Sequence, residues 1–236
     1  MPASPLKHDL KKSRPVLSAG ILTADLANLG AEARRIESAG VRLLHFDVMD
    51  GCFCPMMTVG PPLIKALKTT MIKDVHLMIS EPLDKVKDYA AAGADILTVH
   101  FESCRHIHRV LQTMGALTAA SGKSITRGLA LNPGTAVEAI EPLLGELDMI
   151  LLLAVNPGWS GQHFLPSTFR RIERVRRMIG SEEILLGVDG GITQQNAGEI
   201  ARTGVDLVVA GSAIFDGKAP DENARQMLES LHKQAG

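Results

Sequence analysis

The stretch "ESAGVRLLHFDVMDG", residues 37–51, contains the unit from which the whole chain is built. A helical pattern ends at Gly40, an apolar run follows, and polar residues appear where that run ends. Glycine just past the last turn of a helix accepts the left-handed conformation that ends it. The same arrangement recurs at "AAAGADIL" (90–97) and "ARTGVDLV" (201–208). The pattern predicts successive units in which a helix, a glycine and a strand follow one another.

Eight short apolar runs predict eight strands, near residues 15–22, 43–49, 73–79, 96–101, 127–132, 149–155, 184–189 and 206–211. An amphipathic stretch follows each run. The runs are continuously apolar, which is typical of parallel strands covered on both faces. Eight such units predict a single (β/α)₈ (TIM) barrel, an α/β fold, over residues 15–236. A doubly wound open sheet is the alternative, but its first strand is followed by a glycine-rich phosphate loop that "LSAGILTAD" (17–25) lacks.

The totals limit the classes of partner. The 236 residues carry a formal net charge of −1, which argues against nucleic acid as the main partner. The apolar run "MILLLAV" (149–155) is far shorter than the roughly 20 residues that span a bilayer, so no membrane segment is expected. Three cysteines do not make a disulfide framework, which predicts a cytoplasmic protein. Residues 1–14, "MPASPLKHDLKKSR", are polar and predict a flexible basic arm without a secretory apolar segment.

Ionisable residues lie at the ends of three predicted strands, where barrel enzymes carry their chemistry. His45 and Asp47 share one face of the second strand because side chains alternate along a strand. His76 ends the third strand and Asp189 ends the seventh. Two imidazoles and two carboxylates suit one divalent metal ion, Zn²⁺, Fe²⁺, Mn²⁺ or Co²⁺. The alternative is that both histidines are hydrogen-bonded core residues and Asp47 caps a helix.

Three glycine-rich loops follow the last three predicted strands. They are "VNPGWSGQ" (155–162), "VDGGI" (188–192) and "AGSAIF" (210–215). Backbone N–H groups in such loops approach an anion closely, and the loops after strands seven and eight commonly form a phosphate site in these barrels. Ser212 is a further donor. Each loop alone could be a simple turn, but three adjacent loops favour a phosphate site.

Six motifs, in this order and spacing, resemble the ribulose-phosphate 3-epimerase family: "HFDVMDG", "DVHLMI", "GLALNPGT", "VNPGWSGQ", "VDGGI" and "AGSAIF". The resemblance covers residues 15 to about 216. It implies a metal-dependent barrel that epimerises a ketose phosphate at C3, often as a homo-oligomer. It further implies that the metal ligands are His45, Asp47, His76 and Asp189, and that Asp47 and Asp189 are also the acid/base pair. The implied substrate- and phosphate-binding residues are His76, Gly158, Trp159, Ser160, Gly161, Gly190, Gly191, Gly211 and Ser212.

The chain departs from the usual family pattern on the pocket wall, for which we expect Gly20, Met49, Met78 and Leu153. The family usually reads "PSILSAD" where this chain has "AGILTAD", so Gly20 replaces a serine that contacts substrate. Leu153 stands where a third methionine is usual. The usual "VNPGFGGQ" has become "VNPGWSGQ", and "DGHFVPN" has become "DGCFCPM", which introduces Cys52, Cys54 and Met56. These changes keep all four implied metal ligands. They alter the pocket wall and can therefore change which ketose phosphate is bound.

Two opposed carboxylates favour epimerisation, because inversion at C3 requires a proton to leave from one face and return to the other. The leading hypothesis is the pair D-ribulose 5-phosphate and D-xylulose 5-phosphate. Alternatives are D-allulose 6-phosphate or another pentulose or tetrulose phosphate. A decarboxylase or aldolase would need a lysine at a strand end, and none is present. A non-catalytic sugar-phosphate-binding barrel would not need two opposed bases.

Several other conspicuous residues are given lesser roles. His100 and Glu102, at the end of the fourth strand, are expected to support the site without ligating the metal. The thiols of Cys52 and Cys54 are interpreted as incidental, and the basic run "FRRIERVRR" (169–177) as a solvated helix face. The histidines expected to face solvent are His106, His108 and His163.

Overall fold

The computed structural model describes residues 5–120 and 122–233. The strands are β1 (Val16–Gly20), β2 (Leu43–Met49), β3 (Ile72–Met78), β4 (Ile96–His100), β5 (Thr126–Leu131), β6 (Met149–Leu153), β7 (Leu185–Asp189) and β8 (Leu207–Ala210). Each strand pairs in parallel with the next, and β8 pairs with β1, which closes the barrel. The predicted (β/α)₈ barrel is confirmed.

The helices of the described residues surround this barrel. They are α1 (Pro5–Lys12), α2 (Leu29–Ser38), α3 (Pro61–Ala66), α4 (Val86–Ala91), α5 (Ile107–Gly115), α6 (Ser167–Ile179), α7 (Ala197–Arg202) and α8 (Pro220–His232). The segment after β5 (Val137–Glu146) is a 3₁₀-helix that contains Pro142, which cannot donate an α-helical hydrogen bond and crowds the preceding turn. Shorter 3₁₀ segments follow β1, β3 and β4. Among the helices of the described residues, none is both long enough and apolar enough to cross a membrane.

The glycines of the repeating unit have the conformation that the sequence predicts. Gly40, Gly93 and Gly204 have φ values of +98°, +104° and +75°. L-residues with a side chain rarely adopt these values, so glycine ends each helix without steric cost. The chain can therefore turn from α2, α4 and α7 directly into β2, β4 and β8.

Apolar side chains fill two regions. The larger one lies between the strands and the surrounding helices and includes Phe46, Leu97 and Leu186. A second cluster comprises Leu10, Val16, Leu43, Ile96, Ala130, Met149, Leu151, Leu153, Leu185, Leu207 and Val209. Its strand residues alternate with those of the larger region, so the cluster fills the barrel interior. This packing leaves the carboxyl ends of the strands for polar residues.

The N-terminal segment differs from its prediction. Residues 5–12 form α1, and Leu10 is fully buried against the cluster inside the barrel. The ammonium group of Lys7 lies 3.2 Å from a carboxylate oxygen of Asp148. The predicted flexible arm is therefore wrong for residues 5–12, because an apolar residue and an ion pair fix the helix across the amino-terminal end of the barrel. Residues 1–4 of the predicted arm lie outside the described residues.

We expect Asp148→Asn to lower the free energy of unfolding by about 1–2 kcal/mol at pH 7, as loss of hydrogen bonds to a charged group does. Asp148 accepts hydrogen bonds from the backbone N–H and Nε of Arg127, both at 3.0 Å, and from Lys7. Burial raises the pKa of Asp148, but Arg127 and Lys7 outweigh burial and lower it. The stabilisation is therefore present above the unfolded-state pKa, near 4, and is lost as pH falls through the folded-state value.

Urea unfolding at several pH values tests this expectation. The difference between wild type and Asp148→Asn should be constant from about pH 7 to 5 and should shrink below about pH 4. Glu183→Gln, at an exposed carboxylate, is the control and should change stability little. A difference that grows as pH falls would contradict the argument.

Candidate active site and metal centre

The four predicted ligands meet at the carboxyl ends of the strands. His45 and Asp47 point to the same side of β2, and the strand register sets Asp47 directly opposite His76 on β3. Asp189 is the last residue of β7. The barrel thus brings together residues that are more than 100 positions apart in the chain, as the strand-end pattern predicts.

The four side chains form one compact group, with one ligand atom from each lying within 4.8 Å of the others. Asp47 Oδ1 is 3.3 Å from His45 Nε2 and 3.4 Å from His76 Nδ1. Asp189 Oδ2 is 3.6 Å from His76 Nδ1 and 3.9 Å from His45 Nε2. Both imidazoles are fully buried, whereas both carboxylates are 14% exposed. The carboxylates therefore separate the buried rings from the pocket above them.

The donor atoms fit a divalent cation. His45 Nε2 and His76 Nδ1 are buried without a hydrogen-bond partner among the described residues, and both face the two carboxylates. Buried polar nitrogens are rarely left unpaired, so we expect these two atoms to bind a ligand. Two imidazole nitrogens and two carboxylates are a common donor set for Zn²⁺ and for Fe²⁺, Mn²⁺ or Co²⁺. The alternative of hydrogen-bonded core histidines accounts for only one nitrogen of each ring.

The electrostatics of the group agree with this assignment. Burial disfavours the carboxylate form of Asp47, but the two rings outweigh burial and hold its pKa well below the usual range. Burial also disfavours protonated His45, but Asp74 and Asp47 outweigh it and raise the pKa of His45 well above its usual value. The pKa of His76 is raised as well, since Asp189 and Asp47 outweigh burial. The group therefore attracts positive charge, which a metal ion supplies by replacing protons.

A buried carboxylate, missed by the sequence analysis, supports His45. Asp74 on β3 is fully buried, and its Oδ2 lies 2.7 Å from His45 Nδ1 and accepts a hydrogen bond of 2.8 Å from Ser18 Oγ. Because Asp74 accepts a hydrogen bond from Nδ1–H, Nε2 of the neutral ring carries no proton and can bind a metal, an arrangement common among metal-ligating histidines. The signal was in the sequence: Asp74 precedes His76 by two positions and so shares its inward face.

His76 has a different support. Its Nε2 lies 2.8 Å from Nε2 of His100, and His100 Nδ1 lies 3.2 Å from Oε2 of Glu102. Burial lowers the pKa of His100 to about 4 despite Glu102, so this ring is neutral near pH 7. Burial raises the pKa of Glu102, but hydrogen bonds from His100 and from the loop after β5 outweigh it and lower that pKa. Both residues thus lie behind a predicted ligand, where the sequence analysis expected them.

A pocket lies above the four-residue group, lined by the glycine-rich loops. Every residue predicted to bind substrate or phosphate lines it except His76, which is buried beneath: Gly158, Trp159, Ser160, Gly161, Gly190, Gly191, Gly211 and Ser212. The four expected wall residues, Gly20, Met49, Met78 and Leu153, line it as well. Lining residues that the sequence analysis did not single out are Leu22, Thr23, Val155, Asn156, Pro157, Gln162 and Val209.

The loop after β6 is held against the loop after β2. Gly158 has a φ of +114°, and a Cβ there would lie 2.8 Å from Cβ of Cys54. Cys54 is buried beside Met49 and Met78 in a small apolar cluster, whereas Cys52 is exposed. Neither thiol belongs to the four-residue group. The contact explains why glycine is required at position 158 and gives Cys54 a packing role.

Arg171 on α6 contradicts the interpretation of "FRRIERVRR" as a solvated face. Its side chain is buried and donates hydrogen bonds of 2.8 Å to the carbonyl oxygens of Leu153 and Asn132. The other arginines of the run are exposed. Arg171 therefore connects the carboxyl ends of β5 and β6. Its contacts are with main-chain carbonyl oxygens, so no sequence pattern distinguishes it from the other arginines of the run. His106, His108 and His163 are exposed, as predicted.

Fold and site together define a (β/α)₈-barrel enzyme whose pocket opens at the carboxyl ends of the strands. Residues 16–215 match the model of the Ribulose-phosphate 3 epimerase family, and the chain belongs to that family. It is 42% identical over 200 residues to the ribulose-phosphate 3-epimerase of Bacillus subtilis (strain 168), covering 83% of this chain and 89% of that protein. It is 40% identical over 228 residues to the Escherichia coli (strain K12) ribulose-phosphate 3-epimerase, covering 92% and 98%.

Solved structures of other enzymes share the fold alone. The 3-hexulose-6-phosphate synthase of Salmonella typhimurium has a TM-score of 0.68 and 18% sequence identity, covering 93% of this chain and 99% of that one. At such identity the likeness carries no information on the reaction. The family membership shown by the sequence relatives confirms the resemblance seen in the motifs.

Proposed function

We propose that this protein interconverts D-ribulose 5-phosphate and D-xylulose 5-phosphate by epimerisation at C3. The observation that carries the proposal is the pairing of Asp47 and Asp189, two carboxylates from β2 and β7 that share one group and face one pocket. The curated relatives named above are ribulose-phosphate 3-epimerases. A family-wide activity and a two-base site thus support the same reaction.

The two carboxylates act as the acid/base pair. One removes the C3 proton, which the adjacent C2 ketone makes weakly acidic, and the other delivers a proton to the opposite face. His45, Asp47, His76 and Asp189 would hold a divalent metal ion, whose positive charge would stabilise the negative charge that develops on the substrate oxygens. The buried rings below hold the carboxylates in position. An isomerase that moves a proton between C1 and C2 could work with one base.

The phosphate group lies, in this proposal, on the loops after β7 and β8. Gly190, Gly191, Gly211 and Ser212 line that side of the pocket. A helical turn begins at Gly211, whose carbonyl accepts a hydrogen bond from the Phe215 N–H, so the first N–H groups of this turn have no partner within it. Such N–H groups bind phosphate without a cationic side chain. None of the described pocket-lining residues is a lysine, which disfavours aldolase or decarboxylase chemistry.

Proton NMR in D₂O tests the reaction. The metal-loaded protein is incubated with D-ribulose 5-phosphate and, separately, with D-allulose 6-phosphate and a tetrulose phosphate. We expect deuterium at C3 together with the 3-epimer, fastest for D-ribulose 5-phosphate. Faster turnover of another ketose phosphate would reassign the substrate, with Gly20 and Leu153 as the wall residues to exchange first. No exchange with any of the four candidate metals would refute the epimerase proposal and favour a sugar-phosphate binder.

Three further properties are part of the proposal. The metal is one of Zn²⁺, Fe²⁺, Mn²⁺ and Co²⁺, as the nitrogen and oxygen donors suggest. A cytoplasmic location is supported by the three cysteines, all of which are free thiols. A homo-oligomeric state is expected by analogy with the family, and light scattering of the purified protein would measure it.

A further inference from the structure

A chain of hydrogen bonds leads from the buried His76 to the partly exposed carboxylate of Glu102. His76 Nε2 contacts His100 Nε2 at 2.8 Å, and His100 Nδ1 contacts Glu102 Oε2 at 3.2 Å. Both rings are fully buried, whereas the Glu102 side chain is 23% exposed. Glu102 Oε1 in turn accepts hydrogen bonds from the Asn132 N–H at 2.9 Å and from the Thr135 hydroxyl. The chain therefore ends on a carboxylate fixed by the loop after β5.

The chemistry of these groups fixes the direction of every hydrogen bond. An ionised carboxylate only accepts, so Glu102 requires a proton on His100 Nδ1. An imidazole with one proton donates from one nitrogen and accepts at the other. Since Nδ1 of His100 donates to Glu102, its Nε2 is the acceptor in the 2.8 Å contact with His76. His76 must donate from its own Nε2, and Nδ1 of the neutral His76 ring is left without a proton. That atom is the one that faces Asp47 and Asp189.

We propose that His100 and Glu102 are positioning residues that fix His76 in the tautomer whose Nδ1 binds the metal. This proposal rests on the metal-dependent function proposed above. Metal-ligating histidines usually donate their second N–H to a carboxylate, carbonyl or water. Here a second imidazole lies between the ligand and the carboxylate. The second imidazole thus connects the partly exposed Glu102 to His76, which is fully buried.

The arrangement also explains why the two ligands differ. His45 is backed directly by Asp74, which is fully buried, whereas His76 is backed through a neutral ring by a partly exposed carboxylate. The effect of Glu102 on the metal is therefore weaker than that of Asp74. A competing role for Glu102 is purely structural, since it also anchors Asn132 and Thr135. The positioning role predicts that loss of the Glu102 charge weakens metal binding, whereas the structural role predicts unchanged metal affinity.

Zinc affinity of the full chain, measured by competition with a chromogenic chelator, separates the roles. We expect Glu102→Gln to bind Zn²⁺ about 10-fold more weakly, because groups that orient a ligating histidine typically change metal affinity about 10- to 100-fold. Thr135→Ala removes one hydrogen bond to Glu102 but keeps the Glu102 carboxylate, so it should lower zinc affinity less. Glu37→Gln is the matched control: Glu37 Oε1 also accepts from a backbone N–H, that of Thr70 at 2.9 Å, and from the Thr70 hydroxyl, far from the site. It should leave zinc affinity unchanged.

Nitrogen NMR of the imidazoles in the zinc-loaded wild type provides a second readout that needs no variant. We expect His76 to carry its proton on Nε2 and His100 to carry its single proton on Nδ1. A proton on His100 Nε2, or unchanged zinc affinity in Glu102→Gln, would overturn the proposal. Wild type that binds no zinc at the four-residue group would instead refute the metal-dependent function itself, so the two failures are distinguishable.

Discussion

Replacing Asp189 or Asp47 with asparagine is expected to lower the rate of epimerisation by about 10²–10⁴-fold, the usual contribution of a positioned acid or base. Each carboxylate faces the pocket and lies within 4 Å of both ligand rings. Asparagine keeps the shape of the side chain and can still donate an oxygen to a metal, but it cannot take up a proton. The variants thus separate proton transfer from the shape of the site.

The two-base mechanism makes a sharper prediction for deuterium exchange. A variant that retains one base can still remove and return the C3 proton on that base's own face, without inversion. Asp47→Asn and Asp189→Asn should therefore each incorporate deuterium from D₂O into one epimer only, and into opposite epimers. NMR of both purified epimers measures this, with the metal content of each variant determined in parallel.

Asp216→Asn is a suitable control for these measurements. Asp216 is an exposed carboxylate after β8 that accepts hydrogen bonds from the Lys218 and Ala219 N–H groups, and it does not line the pocket. This variant should epimerise at the wild-type rate. Full epimerisation by either site variant, or exchange of the same epimer by both, would contradict the assignment of one base to each face.

The fold could be predicted from the sequence because its units repeat. Each helix-ending glycine and each apolar run is a local signal. Eight apolar runs in succession, each followed by an amphipathic stretch, are compatible with few topologies. The departures arise where distant residues decide the local structure. Residues 5–12 are polar in composition, but Leu10 packs against the barrel interior and Lys7 pairs with Asp148, 141 positions away. No local pattern indicates such a contact.

The sequence predicted the inner group of the site and much of the pocket lining, but it did not predict the roles of Asp74 and Arg171. Strand-end positions suggest that His45, Asp47, His76 and Asp189 converge, because parallel strands meet at one edge. The residues that hold this group depend on strand register and on backbone atoms. Asp74 contacts His45 from the neighbouring strand, and Arg171 binds main-chain carbonyls that the sequence does not display. Alternation along β3 was the one available clue to Asp74.

Asp74→Asn is expected to weaken zinc binding by about 10- to 100-fold, a larger loss than for Glu102→Gln. Asp74 contacts the ligand ring directly, and its Oδ2 also accepts from Ser18. An amide at this position carries no charge and can present either an acceptor or a donor to His45 Nδ1. When the amide donates, the proton of the neutral ring moves to Nε2 and blocks the ligand atom. Chelator competition measures the loss.

The same change removes a charged hydrogen bond from the interior, so the metal-free protein should lose about 1.5–3 kcal/mol of unfolding free energy. Asp206→Asn is the matched control, since Asp206 is also buried and its carboxylate accepts from the Leu186 N–H at 2.8 Å and pairs with Arg14. It lies at the opposite end of the barrel, before β8. We therefore expect Asp206→Asn to lower stability while zinc affinity stays at the wild-type value. Equal losses of zinc affinity in the two variants would show that Asp74 acts only through stability, whereas a loss confined to Asp74→Asn identifies it as the residue that orients His45.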